Sequence, residues 1–377
     1  MDKTYIFSGP GRTEISGNHT DHQHGYVLAG AVDLETTAEV RFNGTETIRV
    51  ISEGYPKVEI EINDLYPRRE EYNTTAALVR GIAAAFDKLG AELKGIDAAV
   101  HSNVLPGSGL SSSAAFEVLF GTVFNELFYD SKLNAVEIAK IGQYAENVYF
   151  GKPSGLMDQM ASSVGGMVFI DFGNPSEPTV EKIDFDFNEA GYALCIIDSG
   201  ADHADLTDEY TSVTKELAEI CDFFGKKYLR EIPEIEFVNS IRALRGEVPD
   251  RAILRAIHIY DENRRVLEQV KALKTNDIDR FLKLVNESGQ SSWMYMQNIT
   301  PTGEVVHQDV AVALSVCKLL LDGKGAFRVH GGGFAGTVQA FVPIDMLEEF
   351  KTNVERIIGE GKCYVMSIRS EGGTRIQ

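Results

Sequence analysis

The chain has 377 residues, long for one hydrophobic core, so two domains or one divided domain are expected. Its 44% hydrophobic and 24% charged residues suit a soluble globular protein rather than a disordered one. With 56 acidic residues against 36 basic and a net charge of −20, it should repel nucleic acid and anionic membrane, and an anionic ligand has to be held by a local cluster of donors.

Cys195, Cys221, Cys317 and Cys363 stand far apart, without C-x-x-C spacing or an adjacent histidine, which argues against a zinc site. A chain of this size also gives no support to a disulfide framework. The first residues carry no apolar signal-peptide core, and no apolar run approaches the roughly 18–20 residues that span a bilayer. The expected setting is the reducing cytoplasm.

In chain order, residues 4–8 predict a strand, and residues 9–25 follow as a stretch dense in polar groups. That stretch holds four glycines, Arg12, three histidines and two carboxylates, which suits a pocket-lining polar loop better than a core element. The spacing of His19, Asp21, His22 and His24 is not a standard zinc pattern, whereas carboxylate, imidazole and amide together offer the donors and acceptors a polyol needs. Residues 36–42, 48–52 and 58–62 read as strands of an early sheet. Residues 74–89 form an Ala-rich helix with Thr74 or Asn73 as cap.

A strand over 96–103 leads into Pro106, Gly107, Ser108, Gly109, Leu110, Ser111, Ser112 and Ser113, and a helix runs from about 111 to 127. The two glycines let the backbone approach an anion, and the helix start adds unpaired N–H groups and a positive dipole end. Ser111, Ser112 and Ser113 add hydroxyls for phosphate or Mg²⁺. This is neither a Walker A loop, since no Gly-Lys-Ser/Thr follows, nor a dinucleotide fingerprint, since Gly-x-Gly-x-x-Gly fails at Ser112.

Helix 134–150 ends at the Gly151–Pro153 break, and a short helix through Met160 carries Asp158 in otherwise apolar company. A buried carboxylate there needs a partner, and Arg12 is a candidate. A strand follows over 167–171. The second half begins with a strand at 192–198 and is more helical, over 207–224, 250–273, 277–293 and 303–321. Strands 325–330 and 337–342 flank Gly331, Gly332 and Gly333, a hairpin or a ligand-facing loop, and helix 345–358 and strand 362–368 close the chain. Two domains are expected, 1–190 and 191–377, sharing a continuous interface.

Four segments in this order resemble the GHMP kinase superfamily, and within it the galactokinase branch. Gly-Arg-x-x-x-x-Gly-x-His-x-Asp falls at residues 11–21, Gly-x-Gly-Leu-Ser-Ser-Ser-Ala at 107–114, Gly-x-Met-Asp-Gln at 155–159 and Gly-Gly-Gly-Phe-x-Gly at 331–336. The resemblance implies an α+β, two-domain fold with the active site between the domains. It implies transfer of the ATP γ-phosphoryl group to the anomeric hydroxyl of a sugar, a small-molecule partner. By that resemblance Asp158 and Arg12 are the catalytic pair, Ser113 and Glu146 hold Mg²⁺, and Asn18, His19, Asp21, Gly155 and Tyr210 meet the sugar. The oligomeric state is left open.

The departures concern the acceptor. Galactokinases usually read Gly-Glu-His-x-Asp-Tyr where this chain has Asn18 and His22, and an Arg-Arg expected after Tyr210 is absent. Asn18 would tolerate a C6 carboxylate that glutamate would repel. Residues 21–23 and the Ser288-Gly-x-Ser-Ser292 run resemble galacturonokinases of the same branch. Galactose leads by branch, with galacturonate, an N-acetylhexosamine or arabinose as alternatives. A silent sugar sensor would be expected to lose Asp158, Arg12 or the serine run, and the sugar-type stretch at 17–21 argues against the decarboxylase branch.

Overall fold

The computed structural model describes residues 3–104, 109–152, 154–201 and 206–377. The first half builds one twisted sheet from β1 (Tyr5–Ser16), β2 (Tyr26–Phe42), β3 (Thr47–Ser52), β4 (Val58–Glu61), β5 (Ile96–Ser102), β6 (Met167–Asp171) and β7 (Thr179–Ile183). All its pairings are antiparallel except β3 with β5. β2 is long enough to pair with β6 through residues 26–30 and with β5 through 36–42 while β1 runs along its other edge.

Helices α1 (Thr75–Lys88), α2 (Ser112–Phe128), α3 (Ala135–Tyr144) and α4 (Met157–Val164) cover this sheet. Thr74 caps α1 by accepting the Ala77 N–H, and Asn134 and Glu137 close a capping box at α3. Alternating Ile48, Val50, Val58 and Ile60 pack with Val79, Ile82, Phe120 and Phe124 in one core.

A second sheet, ordered β11-β8-β10-β9, is built from β8 (Tyr192–Asp198), β9 (Ala326–His330), β10 (Thr337–Pro343) and β11 (Cys363–Met366). Its helices are α5 (Thr207–Phe223), α6 (Glu234–Leu244), α7 (Asp250–Lys274), α8 (Ile278–Ser291), α9 (Asp309–Leu321) and α10 (Leu347–Ile358). Ile15, Leu28 and Met167 of the first sheet share a core with Leu194, Ala326 and Phe341 of the second and with Val266 and Phe281 of α7 and α8. The chain finally returns to its start, where β12 (Thr374–Arg375) pairs with β1.

The polar stretch from residue 9 differs from the expected loop. Through Ser16 it is the second half of β1, fully buried. Polar side chains are tolerated there because each finds a partner: Glu14 pairs with Arg328 at 2.6 Å, and the Thr13 hydroxyl lies 3.1 Å from His330 Nε2. The helix expected from residue 303 begins only at Asp309. Helices 134–150 and 277–293 end in wider turns, closed by i→i+5 bonds from Gly151 N–H to Glu146 and from Gln297 N–H to Ser292.

Candidate active site

Arg12 reaches from β1 to Asp158 in the first turn of α4 and grips it with both arms of its guanidinium. Nε donates to Oδ1 at 2.7 Å and Nη2 to Oδ2 at 2.8 Å. Burial opposes ionisation of Asp158, but Arg12 and a 2.7 Å bond from the Ser111 hydroxyl outweigh it and hold the carboxyl below its usual range. The pair is therefore an ionised carboxylate with a fixed orientation.

The described end of the glycine–serine loop is fastened to the same pair. Arg12 Nη1 donates to Gly109 O, and the Arg12 N–H donates to Leu110 O at 3.0 Å. Ser111 adopts φ +55° so that its hydroxyl turns to Asp158 while α2 begins at the next residue. Pro106, Gly107 and Ser108 lie outside the described residues. Ser112 and Ser113 open α2 and are partly exposed.

From the second sheet, His330 reaches under this loop. The Glu14 N–H donates to its Nε2 at 3.3 Å, which leaves Nδ1–H to donate to Thr337 Oγ1 at 2.9 Å. Gly109 lies against both: a Cβ there would sit 2.8 Å from Thr337 Oγ1 and 3.0 Å from His330 Nδ1.

The glycine turn between β9 and β10 is held by three carbonyls. Asn18 donates to Gly331 O at 2.6 Å, His19 Nε2 to Gly332 O at 2.9 Å, and the Tyr210 hydroxyl to Gly333 O at 3.0 Å. Asn298 adds a 3.0 Å bond to Gly332 O and accepts the Phe334 N–H at 2.5 Å. The Tyr210 ring lies close enough to the turn that a Cβ at Gly332 would come within 2.6 Å of its Cε1. Across the site, a Cβ at Gly155 would collide with the Asp21 carboxylate.

Glu146, buried at the start of the wide turn after α3, accepts from Lys152 Nζ at 3.1 Å, the Ser154 hydroxyl at 2.5 Å and Gln159 Nε2 at 2.9 Å. Arg12, Asp158, Ser111, Asp21, Gly155 and Glu146 thus come from β1, α2, α4 and the loops beside them, while Asn18 and His19 join the same stretch to the glycine turn of the second sheet.

Residues 77–166 match the GHMP kinases N terminal domain, and residues 1–42 match the galactokinase galactose-binding signature. The chain thus carries a GHMP kinase N-terminal domain behind a galactokinase-type signature. A galactokinase of Lactococcus lactis, solved in complex with galactose, shares the fold at TM-score 0.84 and 24% identity, over 99% of this chain and 95% of that one. The Methanococcus jannaschii mevalonate kinase superposes at TM-score 0.69 and 16% identity, covering 97% and 98% of the two chains. A D-glycero-D-manno-heptose 1-phosphate kinase from Bacteroides thetaiotaomicron gives 0.67 and 14%, over 100% and 99%.

Within this framework Asn18 has a different environment from the one expected of a sugar contact. It is fully buried, both amide hydrogens are given to Gly331 O and Glu14 Oε1, and its oxygen accepts from Asn298 at 2.9 Å. The Ser288–Ser292 run lies behind it: Ser288 donates to Glu262, Ser291 pairs with His258, and Ser292 donates to Asn18 at 3.4 Å. Glu262 in turn receives the N–H groups of Gly17 at 3.1 Å and Asn18 at 3.4 Å, and His258 Nε2 donates to Asn18 O at 3.1 Å.

His258 and Glu262 escaped the sequence reading, which followed the apolar face of α7. A second stripe was there to find: Arg255, His258, Glu262 and Gln269 recur at helical spacing, and all four are buried.

Proposed function

We propose that this chain is a GHMP-type kinase that phosphorylates a sugar, moving the γ-phosphoryl group of ATP to the anomeric hydroxyl of galactose or a close relative of it. The observation that carries the reading is the Arg12–Asp158 pair, bonded on one side to the phosphate loop through Ser111 and Gly109. The galactose-binding signature over residues 1–42, which contains Arg12, His19 and Asp21, supports the choice of acceptor.

In the reaction the sugar oxygen forms a bond to the γ-phosphorus while the bond to the β,γ-bridging oxygen breaks, releasing ADP. The hydroxyl proton passes to Asp158. Because Arg12 and Ser111 stabilise the ionised form, Asp158 is a weak base, and its larger contribution is to aim the hydroxyl along the line of attack. That suits a loose phosphoryl transition state, in which the nucleophile needs little activation. Arg12 remains cationic and stabilises charge developing on the transferring group.

Mg²⁺ beside a nucleotide needs only one or two protein ligands, since phosphate oxygens and water supply the others. Among the described residues no three His, Cys, Asp or Glu side chains are grouped to hold a metal ion. The two residues named for it fit the lesser demand: the Ser113 hydroxyl in the first turn of α2 and the buried Glu146 carboxylate after α3 are hard oxygen ligands. When bound, the cation would neutralise phosphate oxygens, leaving orientation and proton handling to Arg12, Asp158 and Ser111.

Galacturonate and N-acetylhexosamines are the alternative acceptors. The test is ADP release from ATP over a panel of hexoses, uronic acids and N-acetylhexosamines, with the product's anomeric phosphate identified by NMR. Turnover with galactose or one of these relatives is expected. ADP release no faster than without sugar, across the whole panel, would overturn the reading.

A further inference from the structure

Behind Glu146 lies a carboxyl for which phosphoryl transfer has no direct use. Glu117 projects from α2 and is fully buried. Its Oε2 accepts from Gln159 Nε2 at 2.8 Å, and the same nitrogen donates to Glu146 Oε2 at 2.9 Å. Gln159 directly follows Asp158, so a single amide joins the two acids beside the catalytic carboxylate. Glu117 Oε1 and Gln159 Oε1 are both buried with no partner among the described residues.

The backbone makes room for this arrangement. A Cβ on Gly142, within α3, would lie 3.1 Å from Gln159 Cγ and Glu117 Cβ and 3.2 Å from Glu117 Oε2. Glycine inside a helix costs about 1 kcal/mol relative to alanine, so the position trades helix stability for this close approach. Ser113 and Glu117 stand four residues apart on α2 and therefore share a face.

We propose that Glu117 is a positioning residue which, through Gln159, fixes the Glu146 carboxylate for the divalent cation that accompanies ATP. The inference rests on Glu146 and Ser113 as cation ligands. An amide can rotate by half a turn and exchange its nitrogen for its oxygen. With a carboxyl on each side, only the nitrogen-inward orientation avoids oxygen facing oxygen. Glu117 selects that orientation, and Glu146 then presents its charge in one geometry.

The experiment measures nucleotide binding by calorimetry as Mg²⁺ is titrated, without sugar, alongside binding with no metal. Glu117→Leu should raise the Mg²⁺ concentration needed by about tenfold or more, the usual scale for groups that orient metal ligands, and leave metal-free binding unchanged. Gln159→Leu should do the same from the other end of the relay, and serves if Glu117→Leu fails to fold. Glu117→Gln, which keeps the acceptor, should retain the wild-type requirement. If Glu146→Gln raises the requirement while Glu117→Leu and Gln159→Leu leave it unchanged, the positioning role is overturned and the ligand assignment stands. If Glu146→Gln has no effect, the ligand assignment itself fails and the inference with it. Equal losses in Glu117→Gln and Glu117→Leu would make Glu117 an ionised ligand, which also overturns positioning.

Discussion

Asn18 donates an amide hydrogen to Gly331 O at 2.6 Å, tying the turn after β1 to the glycine turn of the second sheet. Its other hydrogen goes to Glu14 Oε1 at 3.2 Å, so both donors face acceptors in a fully buried place. A glutamate at this position, as galactokinases usually have, would present oxygens to those same oxygens.

Asn18→Glu is therefore expected to destabilise the protein before it alters sugar choice. An unpaired buried charge costs about 3–5 kcal/mol, unless the carboxyl is protonated. Burial would raise the new carboxyl above its unfolded value, so the deficit should be largest at neutral pH and shrink as pH falls toward that native value. Urea unfolding at several pH values measures this. Wild-type stability accompanied by a changed galactose-to-galacturonate ratio would return Asn18 to the sugar pocket.

Asp158→Asn keeps the shape of the side chain and removes its charge. One arm of Arg12 would then face an amide nitrogen, and the sugar hydroxyl would lose its proton acceptor. The kcat is expected to fall by about 10²–10⁴, the range for a positioned acid–base group, with nucleotide affinity preserved. Steady-state rates together with calorimetry separate the two, and an unchanged kcat would end the proposed role.

The serine run and Asp158 were legible because rare local chemistry marks them: glycines at a strand-to-helix turn, and a carboxylate in an apolar helix start. Strands such as β3 and helices such as α1 were legible for the usual reason, periodic burial. The second half of β1 was not, because Arg12, Thr13 and Glu14 suit a polar pocket-lining loop as well as a strand, and only Asp158, His330 and Arg328, from 146 to 317 residues away, make their burial in a strand tolerable. Asn18 illustrates the same limit. Its type is compatible with contacting a ligand or with closing a buried network, and only the positions of Gly331, Glu14 and Asn298 decide between them.

Two glycines should separate the halves of the site. Gly109 has φ +72°, and a Cβ there would press on Thr337 Oγ1 at 2.8 Å, so Gly109→Ala strains the loop proposed to hold phosphate. Gly155 carries no such backbone constraint, and among the described residues its Cβ would meet only the Asp21 carboxylate. Overpacking of this kind costs about 1–3 kcal/mol, which should appear as a raised nucleotide KM for Gly109→Ala and a raised sugar KM for Gly155→Ala. The same KM rising in both variants would dissolve the division into a phosphate side and a sugar side.

His258 gives the site a measurable dependence on acid. Burial lowers its imidazole to about 4, despite the opposing charge of Glu262. Above pH ~6.5 it is neutral in folded and unfolded chains alike and contributes nothing to the pH dependence. As pH falls from there toward 4, the unfolded chain takes up a proton that the native one refuses, and stability is lost at up to about 1.4 kcal/mol per pH unit. His19, which burial and then His22 lower to about 3, acts in the same direction. Glu14 and Glu117, raised by burial, act oppositely between the unfolded carboxylate range and their own native values. A difference measurement isolates one group. His258→Gln retains a donor toward Asn18 O but cannot titrate, so its stability should decline less steeply between pH 6.5 and 5 than the wild type's, by about one proton's worth of slope. Parallel decline of the two proteins in urea titrations would show that His258 is not the neutral buried base described.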